Sequence, residues 1–144
     1  MDSLSDDLAR QVADSGAYWV PTLELWHATS QANGTRAIQN LRRFVQAGGK
    51  VALGTDYDGY AATFQLGMPI KEMEWMLQAG MTPMQVIVAG TQNAAIVCGL
   101  EDEIGTVEGG KSADVLVVDG NPLEDIHALL NVRMVIHGGV VIRE

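Results

Sequence analysis

Over the first hundred residues, short apolar runs alternate with helical segments, and that order restricts the chain to an α/β arrangement with parallel strands. Leu4, Leu8 and Val12 recur every four residues, Asp6 and Asp7 lie where a first helical turn favours anions, and Gly16 stops the pattern, so a helix is expected over 5–15. The run AYWVPTLEL predicts a strand over 17–23, with Pro21 confining its ladder to the beginning or to an edge. Asn33-Gly34 reads as a turn and Thr35 as the cap of a helix over 36–47, whose Ile38, Leu41 and Val45 share a face. Gly48-Gly49 ends it. A short apolar strand over 50–54 follows, as expected of a parallel strand covered on both faces. A further helix over 69–79 closes at Gly80.

The helical segment after that is the most strongly punctuated. Thr82 is placed as N-cap, Pro83 takes the first helical position, Gln85 closes a capping box and Gly99 ends the run, which predicts one helix over 83–98. Beyond Leu100 the pattern changes to β: a short strand near 104–107, a Gly-Gly turn, a strand over 114–118, and one or two helical turns in NPLEDIHALLN. Last comes a hairpin in VRMVIHGGVVIRE, turning at Gly138-Gly139. Two units are expected: an α/β part over 1–100 and a small β module over 101–144.

A chain of 144 residues with 47% hydrophobic and 19% charged residues has the balance of a globular protein. Its net charge of −9 disfavours nucleic acid and anionic membrane as partners, since both require clustered Lys and Arg. Cys98 is the single cysteine, so neither a disulfide framework nor a cysteine metal site is available; it reads as a small buried residue. The acidic start MDSLSDDLAR lacks the features of a signal peptide, no run reaches the length of a membrane span, and the expected location is cytoplasmic.

The stretch VALGTDYDG, residues 51–59, places Asp56 just past an apolar strand. A carboxylate there can be a turn residue, as aspartates at strand ends commonly are, or a cation ligand or a general base. Asp56, Asp58 and Gly59 do not fit an EF-hand, which requires Gly at position six and Glu at position twelve of its loop.

The larger arrangement bears on that choice. VALGTD, EWMLQAGMTPMQVIVAGTQNAA, GLEDEIGTVEGGKSADVLVVDGNPLEDI and VRMVIHGGVVI, in this order, resemble the C-terminal portion of the metal-dependent amidohydrolases, particularly their imidazolonepropionase-like branch. The resemblance runs from about Ser3 to the end. It implies the last two βα units of a (β/α)8 TIM-type barrel and the C-terminal part of a flanking small β-sandwich. It also implies hydrolysis of carbon–nitrogen bonds in amides, cyclic amides or dipeptides, with a divalent metal, usually zinc. In the family the Asp matching Asp56 touches the metal, takes the proton of the metal-bound water and passes it to the leaving nitrogen. Tyr57, Asp58 and Tyr60, on the following loop, become substrate-loop candidates.

The family builds its metal centre from a His-x-His pair, often a bridging Lys or Glu, and two further histidines on earlier strands. Nothing here matches them: the histidines are His27, His127 and His137. His27 reads as an exposed loop residue, and the other two fall in the β module. Trp19, Trp26 and Trp75 read as packing between barrel and helices. A whole barrel of this type takes about 250 residues. The expectation is therefore a C-terminal fragment, inactive and metal-free by itself, whose partners are the missing N-terminal half or copies of itself and whose substrate, once complete, is a small molecule. The competing expectation is a non-catalytic, self-associating structural or binding module derived from such an enzyme.

Overall fold

The computed structural model describes residues 2–56 and 67–143. Helix α1 (Asp6–Asp14) starts where Ser5 Oγ accepts the amide of Leu8. Its buried position is Ala9, Val12 and Ala13 pack against the core together with Leu4 just before the helix, and Leu8 is 48% exposed, so the four-residue spacing gave part of the inward face. Asn40 anchors the entry to α1: it accepts the Leu4 amide at 2.8 Å and donates to the Asp2 carbonyl at 2.9 Å.

Strand β1 is only Tyr18–Trp19, and not the expected 17–23. Pro21 has no amide to donate, Thr22 takes a left-handed conformation (φ 49°, ψ 47°), and the chain turns directly into α2 (Leu23–Thr29). The third helix, α3 (Gln31–Gln46), begins five residues earlier than expected, because Ser30 and not Thr35 is its cap, accepting the Asn33 amide. Asn33-Gly34 is therefore helical and makes no turn. Strand β2 is Lys50–Val51, with 52–56 continuing outside regular structure. It runs parallel to β1 in the register Tyr18 to Lys50 and Trp19 to Val51.

Helix α4 (Ile70–Gln78) follows the expected span. The capping box at Thr82 and Gln85 forms with both hydrogen bonds present. The single helix expected after it is two, α5 (Pro83–Gly90) and α6 (Gln92–Cys98), separated at Thr91 (φ −124°, ψ −90°). Cys98 is exposed, which corrects its expected burial.

In the C-terminal part no strand forms at 104–107, where the chain makes turns, with Ile104 donating to the Leu100 carbonyl and Gly105 at positive φ. β3 (Val115–Val118), a 3-10 helix (Ile126–Leu130), β4 (Val132–His137) and β5 (Val140–Arg143) complete the chain, and the strands form an antiparallel sheet in the order β3-β4-β5. Gly138 and Gly139, both at positive φ, make the two-residue hairpin loop. Leu23, Leu41, Phe44, Met76 and Val86 are fully buried in one cluster that Ile126 of the 3-10 helix also enters. Trp19 meets Phe44 edge-to-face at 5.2 Å within it, and Trp26 and Trp75 pack against it, in line with their expected packing role.

Candidate active site

Because β1 and β2 are parallel, the chain leaves both strands at the same end of the sheet. Asp56 lies there, exposed, five residues beyond Val51 and at φ 53°. Thr22 lies three residues beyond Trp19 at φ 49°. Among the described residues these are the non-glycine positions at positive φ, and both come after the C-terminal end of a strand. Aspartate tolerates the left-handed region, whereas a β-branched threonine there is strained. Tyr57, Asp58 and Tyr60 lie outside the described residues.

His27 is not an exposed loop residue. It sits in α2, half-buried, with its ring stacked on Trp75 at 3.9 Å and an interplanar angle of 14°. A Cβ on Gly34 would lie 2.3 Å from His27 Cγ, so the glycine inside α3 is what admits the ring. Burial pushes the imidazole pKa down, and Nε2 is buried with no hydrogen-bond partner among the described residues. These are the surroundings of a neutral packing histidine. His127 lies in the 3-10 helix and reaches α4: Nδ1 is 2.8 Å from Asp125 Oδ1 and Nε2 is 2.9 Å from Glu74 Oε1. Asp125 first and Glu74 second raise its pKa. His137 pairs with Asp114 at 2.8 Å, beside the Gly138 amide that donates to the same oxygen.

The buried carboxylate that sequence reasoning missed is Glu72. It is fully enclosed and accepts the amides of Leu23 and Glu24, each at 2.7 Å, at the start of α2. Burial raises its pKa to about 7, the two amides hold it down, and nearby Glu24 pushes it further up. A signal existed: Glu72 stands four residues before Met76, on the face that Met73 and Met76 bury.

The match to a family model decides the wider question: residues 5–142 fit the model described as the amidohydrolase family. The chain belongs to the amidohydrolase family. An imidazolonepropionase from Geobacillus sp. (strain WCH70) is 36% identical over 118 residues, covering 80% of this chain and 26% of that protein. An ochratoxinase from Aspergillus niger is 33% identical over 116 residues, covering 79% and 23% respectively. Among solved structures, a Xaa-Pro dipeptidase with bound methionine in the active site superposes with a TM-score of 0.84 at 28% identity, over 98% of this chain and 38% of the dipeptidase. This amidohydrolase chain thus spans about a quarter of the length of the Geobacillus relative.

Amidohydrolases typically work with a metal, and the described residues can be tested against one. Among them no three His, Cys, Asp or Glu side chains come together where an ion could be held. A hydrolytic zinc takes three protein ligands and a water. The described residues do not by themselves fit that requirement.

Proposed function

We propose that this chain is the C-terminal part of a hydrolase of carbon–nitrogen bonds in which Asp56 is the carboxylate base. Residues 1–100 would supply the last two βα units of a (β/α)8 barrel and residues 101–144 part of the flanking β-sandwich. The observation that carries the reading is the position of Asp56 just past the C-terminal end of parallel strand β2, the end at which barrel enzymes place their active sites.

In this reading Asp56 accepts a proton from the water whose oxygen attacks the carbon of the scissile bond. It then returns that proton to the departing nitrogen, so the carboxylate ends as it began. In the completed enzyme Asp56 would be this chain's ligand to a divalent metal, zinc foremost, with the others on segments outside it, and that metal would supply acidification of the bound water. The substrate is a small molecule with an amide, cyclic amide or dipeptide bond, in keeping with relatives named imidazolonepropionase and Xaa-Pro dipeptidase. Tyr57, Asp58 and Tyr60 are proposed to meet it.

The test is Asp56→Asn in a hydrolase completed with the N-terminal segments. The amide keeps the shape and removes the base, so kcat is expected to fall about 10²–10⁴-fold with the fold retained, metal content being measured alongside. Unchanged turnover would leave Asp56 as a turn residue.

A second reading is a non-catalytic, self-associating module. It is favoured by β5, where Val140 and Ile142 are 63% and 64% exposed. Absence of hydrolysis after completion, combined with stable self-association, would select it.

A further inference from the structure

The residues just before Asp56 are held on both edges, but only one of the holders is a strand. Toward β1, the amide of Ala52 donates to the Trp19 carbonyl at 3.0 Å. On the opposite edge the partners come from the break between α5 and α6. The Leu53 amide donates to the Ala89 carbonyl at 2.9 Å, and the Asn93 side-chain amide donates to the Val51 carbonyl at 2.8 Å.

The break is what makes those partners available. In a continuous helix the Ala89 carbonyl would accept an amide one turn further along. Thr91 leaves helical geometry instead, and its amide turns back to Val88. Gly90 lets the break lie close to the strand, since a Cβ there would stand 3.0 Å from Leu53 Cδ2. The site is well enclosed: Val51, Ala52 and Ala89 are 3%, 1% and 0% exposed.

We propose that the α5–α6 break is a positioning clamp for Asp56, with Asn93 as its positioning residue. It takes the place of a neighbouring strand, fixing residues 51–53 so that the chain arrives at Asp56 in one conformation. Asn93 acts through Val51 and touches no reacting atom. The role at the reaction rests on the reading of Asp56 as the base.

Two measurements test it. In this chain, residue-resolved amide hydrogen exchange of Asn93→Ala should show Leu53 exchanging about tenfold faster, the scale expected for one lost hydrogen bond. The slow amides of α3 and α4 should be unchanged. Asn93→Asp keeps the shape and loses the donor, and it should behave like Asn93→Ala. Equal acceleration throughout the helices, or an Asn93→Asp variant that exchanges like the wild type, would overturn the clamp.

In the completed hydrolase, Asn93→Asp should lower kcat about tenfold to a hundredfold with little change in KM, as for misplacement of a reacting group. Full activity of Asn93→Asp beside an inactive Asp56→Asn would sink the clamp alone. Normal turnover of Asp56→Asn would sink the base reading, whatever the exchange data show.

Discussion

The Glu72 carboxylate accepts the Leu23 amide at 2.7 Å across 49 residues of sequence, fastening the start of α2 to α4. Its second oxygen takes the Glu24 amide at the same distance, so two helix-terminal donors that α2 cannot satisfy by itself are satisfied by one buried side chain. Glu72→Ala leaves both unpaired in the interior. It is expected to cost about 2–6 kcal/mol in chemical denaturation, at roughly 1–3 kcal/mol for each unsatisfied group.

The same group makes stability depend on pH in an unusual direction. Its folded pKa of about 7 lies above the ordinary 4.5, so between those values the folded chain holds a proton that the unfolded chain has released. The contribution is fully present below about pH 4.5 and is lost as pH rises through 7, amounting to on the order of 3 kcal/mol. Glu24, also raised chiefly by burial and partly offset by Lys71, acts in the same direction. Denaturation midpoints across this window should fall with pH, and Glu72→Gln should flatten the slope while lowering stability, because its NH2 group faces amide donors.

His127 ties the 3-10 helix to α4 through Glu74, and only the imidazolium donates to both Asp125 and Glu74 at once. Its pKa is raised by these partners, so the contribution is complete below about 6.5 and fades as pH rises through the higher folded value. An NMR titration of the His127 ring should show a midpoint above 6.5 that moves down in Glu74→Gln. In the same variant the amides of residues 126–130 should exchange faster at low pH.

Thr22 holds a left-handed backbone that costs a non-glycine residue about 1–2 kcal/mol. Thr22→Asn, which tolerates that region, should raise stability by about 1 kcal/mol, measured by denaturant unfolding. No gain would mean that the Thr22 side chain offsets the strain.

How much the sequence made legible depends on how local each feature is. The start of α5 depends on Thr82, Pro83 and Gln85 alone, and it forms as read. β1 was overextended because Val20, Pro21 and Thr22 resemble strand residues, while the turn at Thr22 is fixed from a distance by Glu72 holding the next two amides. Gly34 looked like a turn because its reason for being glycine is His27, seven residues earlier on another helix. The break at Thr91 was hidden for the same reason, since its partners Val51 and Leu53 lie some 40 residues away. Asp56 can be proposed from its place after an apolar run, whereas no local pattern marks the partners of Glu72 and Asn93, which are backbone atoms of distant segments.

The capping box supplies a calibration. Thr82→Ala removes the acceptor of the Gln85 amide and should cost about 1 kcal/mol, with Thr82→Ser close to wild type. Denaturant unfolding of the pair separates the hydroxyl from the methyl group.

Association at the remaining strand edges is the last expectation, and the structure narrows where it can occur. The outer edge of β2 is occupied at Val51 by Asn93 of α6, and the chain just beyond it at Leu53 by Ala89 of α5, so this edge offers less to a second chain than a bare strand would. Among the described residues, β1 pairs only with β2, and β3 and β5 each have a single neighbour, β4. β5 also exposes apolar side chains on both faces, with Val140, Val141 and Ile142 at 63%, 44% and 64%. An edge strand with unpaired N–H and C=O groups and apolar side chains is a template for pairing. The net charge of −9 opposes close approach of copies without covering that edge. Light scattering over a wide concentration range should therefore show growth from monomer to dimer or larger. Ile142→Lys should shift the transition to higher concentration, because a charge on an edge strand opposes pairing. A wild-type chain that stays monomeric throughout would show that the β5 edge does not recruit another copy, and would remove the main support for the self-associating module.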